Sequence, residues 1–204
     1  MSRQDAKAAT LLAVAFLLPV ALWMWLAMML VHELGHVVGA EVTGGVVTHV
    51  NVYPGRLSST LVRPNPMPGV VLWAGIVGGW LVPAALALGC RWLPATVRAV
   101  ADCWAAFCLL AGGVYLAIGG TERLTDTGQL VAAGWRLPLL IAIGSLAALA
   151  GYAWSRHAWT RLLGEINRRS ITLAHAASAW AMLIAWIAGQ WLLADQLASV
   201  HNVR

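Results

Sequence analysis

Five consecutive residues of the sequence combine two imidazole side chains and a carboxylate. They are His32-Glu33-Leu34-Gly35-His36, which match the pattern HExxH. Residues four apart on a helix share a face, so both imidazoles can bind one Zn²⁺. Glu33 directly follows the first ligand and can act as a general base on a water molecule at the metal. The motif therefore predicts one Zn²⁺ per chain.

Two histidines do not complete a catalytic zinc site. Such a site usually has three protein ligands and one open position. The extended pattern HExxHxxGxxH has Gly39 in place, but Val42 stands where its third histidine would be. The third ligand must therefore come from another part of the chain.

The composition places this motif in an integral membrane protein. Of the 204 residues, 60% are hydrophobic and only 10% are charged, against roughly 25% charged in soluble domains. The 12 Arg and one Lys are scattered between apolar blocks, which indicates membrane topology rather than a nucleic-acid-binding surface. An ordinary soluble enzyme, a disordered chain and a nucleic-acid partner are excluded. Heavy use of Arg and Ala favours a bacterial cell membrane.

Five apolar runs are each close to the roughly 20 residues that a membrane-spanning helix needs. The predicted fold is an all-α polytopic membrane protein in one transmembrane domain, residues 1–204, with spans at about 10–31, 70–90, 99–120, 137–154 and 171–193. The segment at about 43–62 is rich in β-branched residues and contains the turn signal Pro54-Gly55. It predicts a small membrane-associated β-hairpin after the first span.

Topology narrows the choice of third ligand. With five spans, the first and third runs end on the same side of the membrane, the motif side. Asp126 is the preferred ligand because it follows the glycine-rich end of the third span and because Gly128 allows close backbone approach. Glu122 and His49 remain alternative ligands on the same side. Asp126 could instead cap a helix or pair with Arg123.

The third span begins, with Asp102, on the opposite side of the membrane, which we call the N-terminal side. This carboxylate is too far from the motif to bind the same metal, and it is expected to pair with Arg98, four residues earlier. Eight of the 13 basic residues fall on the N-terminal side: Arg3, Lys7, Arg91, Arg98, Arg156, Arg161, Arg168 and Arg169.

Together these features resemble the site-2 protease family of intramembrane zinc metalloproteases. The resemblance covers about residues 10–130: a span ending in HExxH, a following β-hairpin, a glycine-rich second span and a third span ending in an Asp near Gly. Gly75 and Gly79 match the second-span motif, in which a Gly is followed four residues later by Asn, Ser or Gly. They would contact substrate or pack helices. The family's Asn-Pro before the Asp is absent, and Thr127 separates Asp126 from Gly128.

The resemblance implies a zinc metalloprotease that hydrolyses peptide bonds in or near transmembrane segments. Zn²⁺ held by His32, His36 and Asp126 would activate water, and Glu33 would take its proton and pass it to the leaving amine. The expected partners are a membrane protein or peptide substrate and the lipid bilayer.

Two questions stay open from the sequence. The alternative function is a non-proteolytic membrane protein with a structural or regulatory zinc site, although the intact Glu33 favours an enzyme.

The excess of basic residues would place the N-terminal side in the cytoplasm. Site-2 proteases commonly face their zinc toward the cytosol, so the orientation is left open.

Overall fold

The computed structural model describes residues 3–168 and 171–201, and the predicted fold class is confirmed. The helices are α1 (Arg3–Thr43), α2 (Pro68–Gly89), α3 (Ala95–Ile118), α4 (Asp126–Ala132), α5 (Leu137–Asn167) and α6 (Leu173–His201). The strands are β1 (Val47–Asn51) and β2 (Ser59–Val62), and short 3₁₀ turns span Cys90–Trp92 and Gly119–Thr121. All helices except α4 are long and apolar enough to span a membrane, which is consistent with a multi-pass membrane protein.

Three helices extend well beyond the predicted spans, and one of them, α6, continues to His201 rather than ending near 193. α1 begins at Arg3 and continues through the HExxH motif to Thr43, and α5 ends at Asn167 rather than near 154. Hydropathy locates only the part of a helix that crosses the hydrocarbon, whereas the backbone can stay helical in water where good helix formers follow. The seven-residue α4 was not predicted, because it has no long apolar period.

The β-hairpin folds back along α1 and fills the space between α1 and α6. β1 and β2 pair antiparallel, and Val50 and Val52 are buried against Ala194 of α6. Gln190 Nε2 donates a hydrogen bond of 2.8 Å to the carbonyl of Val52. The turn of the hairpin and Trp25, in the middle of α1, line the same cleft. This path brings β2 alongside the HExxH motif.

Close helix packing fixes the relative positions of the spans. A Cβ at Gly35 would overlap the backbone of α2, and a Cβ at Gly113 would overlap the backbone of α5. Without side chains at these contacts, α1 approaches α2 and α3 approaches α5 at backbone distance. The first of these contacts places the second span against the HExxH motif, and the second holds α3 and α5 together.

Candidate metal centre

Three side chains from two distant segments meet near the motif-side end of α1. Nε2 of His32 lies 3.1 Å from Nε2 of His36, and the two imidazole rings are perpendicular. Oδ2 of Asp126 lies 2.8 Å from Nε2 of His32 and 3.4 Å from Nε2 of His36. These three atoms form the only group of three or more metal-ligating side chains found among the described residues.

The tautomer of His36 is fixed by the second span. Its Nδ1 lies 2.9 Å from the carbonyl oxygen of Val71, which can only accept a hydrogen bond. Nδ1 must therefore carry the proton, and the unprotonated Nε2 faces His32 and Asp126. Metal-binding histidines in proteins commonly use a backbone carbonyl in this way to orient the ring.

Hydroxyl groups at the start of α4 place Asp126 in the site. Oγ1 of Thr125 caps the helix by accepting a hydrogen bond of 3.0 Å from the N–H of Gly128. The buried Thr127 hydroxyl donates to the backbone carbonyls at the end of α3, and the N–H of Asp126 donates to the hydroxyl of Tyr115. Asp126 is thus the first residue of α4 rather than its cap, and its carboxylate is directed to the histidines.

The close contact of Gly128 with the preceding loop also supports the start of α4. A Cβ at Gly128 would overlap the carbonyl oxygen of Glu122, so only glycine allows the backbone of α4 to approach the preceding loop this closely. The Glu122 side chain itself is exposed. The loop therefore supports the site through its backbone, and α4 contributes the Asp126 carboxylate.

Asp126 is buried, and one of its carboxylate oxygens, Oδ2, has no matching hydrogen-bond donor. Only 8% of the residue is exposed. Oδ2 accepts no hydrogen bond of good geometry despite its short distance from His32. One buried carboxylate oxygen of the centre therefore still lacks a partner.

The spacing of these atoms fits a tetrahedral metal ion. Ligand atoms at the Zn–N and Zn–O distances of roughly 2.0–2.2 Å lie about 3.3 Å from one another in a tetrahedron. The three distances observed, 2.8, 3.1 and 3.4 Å, are close to that value. A cation at their centre would also satisfy Oδ2 of Asp126. The group can therefore hold a metal ion.

Glu33 is held beside the centre by the β-hairpin. Its carboxylate is buried and accepts hydrogen bonds of 2.7 Å from the Ser58 hydroxyl and 2.6 Å from the Thr60 hydroxyl. Each carboxylate oxygen accepts one of these bonds and keeps room for another, since a carboxylate has about four acceptor positions. Glu33 is therefore oriented by β2 and by the residue that directly precedes it, and can still accept a proton.

The two glycines of the second-span motif have different surroundings. A Cβ at Gly75 would overlap the imidazole ring of His36. A Cβ at Gly79 would lie 3.7 Å from Nδ1 of His32, which is an ordinary contact. Gly75 therefore makes the space that the His36 ring occupies, and Gly79 lines the site without being required by its packing.

The other residues considered from the sequence lie outside the centre. His49 on β1 and Glu122 are both exposed, and neither belongs to the group around Asp126. Sequence reasoning missed the residues that support the centre, namely Ser58, Thr60 and Tyr115. A serine and a threonine two apart on a predicted strand share one face, but nothing in the sequence indicates that this face meets Glu33.

Comparison of the chain with protein-family models, with curated proteins and with solved structures finds no match.

Proposed function

We propose that the protein is a zinc-dependent intramembrane endopeptidase that cuts peptide bonds in or near the transmembrane segments of other proteins. The observation that carries the proposal is the convergence of His32, His36 and Asp126 within 3.4 Å of one another beside the buried carboxylate of Glu33. Polar side chains of this kind are expensive within a membrane-spanning helix and are usually functional there.

The number of ligands supports a catalytic rather than a structural site. Structural zinc sites are usually closed by four protein ligands, whereas catalytic sites have three and leave one position open. The described residues supply three ligands here. A site that only held the fold together would also not need Glu33 to be oriented by two hydroxyl groups. These features favour the enzyme over a structural or regulatory zinc site.

The donor set supports zinc but is shared with another metal. Two imidazole nitrogens and one carboxylate oxygen bind catalytic zinc in hydrolases and iron(II) in some oxygenases. Hydrolysis needs a general base near the metal, and Glu33 follows the ligand His32 directly in the sequence. For this reason we assign the centre to zinc and to hydrolysis.

The chain's own residues divide the reaction between them. Bound zinc would supply Lewis-acid chemistry, which polarises a peptide carbonyl and makes water a stronger acid. Glu33 would accept a proton from the attacking water and deliver it to the nitrogen of the leaving amine as the C–N bond breaks. Ser58 and Thr60 would hold the Glu33 carboxylate in position during both transfers.

An apolar cleft beside the site is suited to a substrate from the membrane. It has a volume of about 640 Å³ and lies between α1, the hairpin turn and α6. Its lining includes Trp25, Met29 and Leu183, and it reaches Ser58, which donates to Glu33. A substrate helix must unwind there, because its peptide carbonyls are otherwise hydrogen-bonded within the helix.

Thr60→Val tests the role of the hairpin in positioning Glu33. Valine keeps the shape of threonine but removes the hydroxyl that donates to Oε2 of Glu33. We expect kcat for peptide cleavage to fall by about tenfold, with KM and bound zinc unchanged and with activity restored by Thr60→Ser. Thr48→Val is the matched control, since the Thr48 hydroxyl donates only to the carbonyl of Leu61 within the hairpin. Equal kcat values for the two valine variants would remove the positioning role.

The proposed activity is tested by reconstituting the full chain in liposomes with a panel of single-span reporter proteins. Cleavage products are identified by mass spectrometry before chelation, after chelation and after addition of Zn²⁺. We expect cuts in or near the reporter spans that chelation abolishes and zinc restores. Protein that binds zinc but cuts no reporter in the panel would favour the non-proteolytic alternative.

A further inference from the structure

A polar cavity lies at the N-terminal side of the membrane, at the end of the bundle opposite the metal centre. It has a volume of about 490 Å³ and is formed by the first turns of α3 and the last turns of α5. Its charged lining consists of Arg98, Asp102, Arg161, Glu165 and Arg168. The proposed protease chemistry uses none of these residues.

The charges in this cavity are not paired as the sequence predicts. Oδ2 of Asp102 lies 3.4 Å from Nη1 of Arg161 on α5, so the predicted pairing of Asp102 with Arg98 on its own helix is wrong. The close approach of α5 to α3 brings Arg161 to the carboxylate. Arg168 pairs with Glu165 at 3.5 Å. Within residues 3–168 and 171–201, Arg98 has no carboxylate partner.

Among the residues that the structure describes, the lining of the cavity therefore carries one positive charge in excess. Three guanidinium groups and two carboxylates line it, and guanidinium groups remain protonated in proteins. Arg161 and Arg168 are also mostly exposed, with side-chain exposures of 58% and 79%. A ligand of one negative charge would balance the cavity and could accept hydrogen bonds from more than one arginine.

The surroundings of the cavity are those of a lipid headgroup. Trp92 lies a few residues before the start of α3 and is 94% exposed. Trp159 lies on α5 next to Thr160, which lines the cavity. Exposed tryptophans of this kind mark the membrane–water interface. Further along α5 toward the motif side, Leu146, Leu149 and Tyr152 are exposed and form an apolar surface. Acyl chains can cover that surface while a headgroup occupies the cavity.

We propose that this cavity binds the phosphodiester headgroup of one anionic phospholipid, with the unpaired Arg98 as its principal ligand. Basic cavities between membrane helices are suited to such headgroups, and guanidinium groups bind phosphate oxygens through paired hydrogen bonds. A headgroup with one net negative charge balances the cavity, whereas a zwitterionic headgroup does not. The site is independent of the proposed protease activity.

The test is to titrate the full chain in detergent with phosphatidylglycerol, phosphatidylcholine or inorganic phosphate and to count bound ligands by native mass spectrometry. We expect one phosphatidylglycerol to bind in preference to phosphatidylcholine, and inorganic phosphate neither to bind nor to compete. Arg98→Gln should weaken phosphatidylglycerol binding by about tenfold or more. Arg168→Gln, at a mostly exposed side chain, should weaken it without affecting the fold. Arg156→Gln is the matched control, since Arg156 is exposed on α5 outside the cavity.

Three results would overturn the proposal. Equal binding of phosphatidylglycerol and phosphatidylcholine would show that the cavity does not select charge. Unchanged phosphatidylglycerol affinity in both Arg98→Gln and Arg168→Gln would show that the headgroup binds elsewhere. Inorganic phosphate that binds as tightly as the lipid would show that the ligand is a free anion.

Discussion

Glu33→Gln is expected to remove peptide hydrolysis while leaving the metal bound. Glutamine has nearly the same shape as glutamate, and its side chain can remain between the Ser58 and Thr60 hydroxyls, but an amide cannot accept the proton of the attacking water. A general base typically contributes about 10²- to 10⁴-fold to a rate, so cleavage of a reporter span should fall by that factor. The measurement is kcat/KM for cleavage together with the zinc content of the same preparation.

Glu41→Gln is the control for the loss of a carboxylate. Glu41 lies on the same helix, eight residues after Glu33, and its side chain is exposed. This variant should cleave at the wild-type rate. Cleavage that persists in Glu33→Gln with zinc bound would contradict the assignment of Glu33 as the base, and equal losses in the two variants would indicate an effect of charge alone.

Gly75→Ala is expected to weaken metal binding although Gly75 is not a ligand. The added Cβ would overlap the His36 ring, and backbone packing between α1 and α2 leaves little room for the ring to move. Displacing a ligand in this way typically weakens metal affinity by about 10- to 100-fold, and the overpacking should cost about 1–3 kcal/mol of stability. Both effects can be measured, by competition with a zinc chelator of known affinity and by thermal unfolding.

Gly79→Ala is the matched control on the same helix. Its Cβ would lie 3.7 Å from Nδ1 of His32, at ordinary contact distance, so metal affinity should stay near the wild-type value. Similar affinities for zinc in the two alanine variants would contradict the role assigned to Gly75. In that case the glycines would serve general helix packing only.

The sequence predicted the metal ligands best where they lie close together in the chain. His32 and His36 share a helix face because they are four residues apart, and no tertiary information is needed to place them together. Asp126 is 90 positions from His36, and only the count of spans and the glycine-rich end of α3 indicated that it ends on the same side. The structure places its Oδ2 within 3.4 Å of both histidines.

The sequence was uninformative where a contact depends on how distant elements pack. The hydroxyls of Ser58 and Thr60 reach Glu33 because the hairpin folds back along α1, and β-propensity predicts a strand without its direction. Asp102 meets Arg161 rather than Arg98 because α5 packs closely against α3. The space that Gly75 leaves for His36 likewise depends on the register between α1 and α2.

His32, His36 and Asp126 are expected to bind one metal ion together. The most direct test is the zinc content and zinc affinity of the purified full chain, compared with His36→Ala, Asp126→Ala and Glu122→Ala. We expect about one zinc per wild-type chain, its loss in His36→Ala and Asp126→Ala, and its retention in Glu122→Ala. Circular dichroism should show that each variant keeps its helical content. Wild-type protein that binds no zinc would contradict this metal centre, and so would Asp126→Ala that binds zinc as tightly as the wild type.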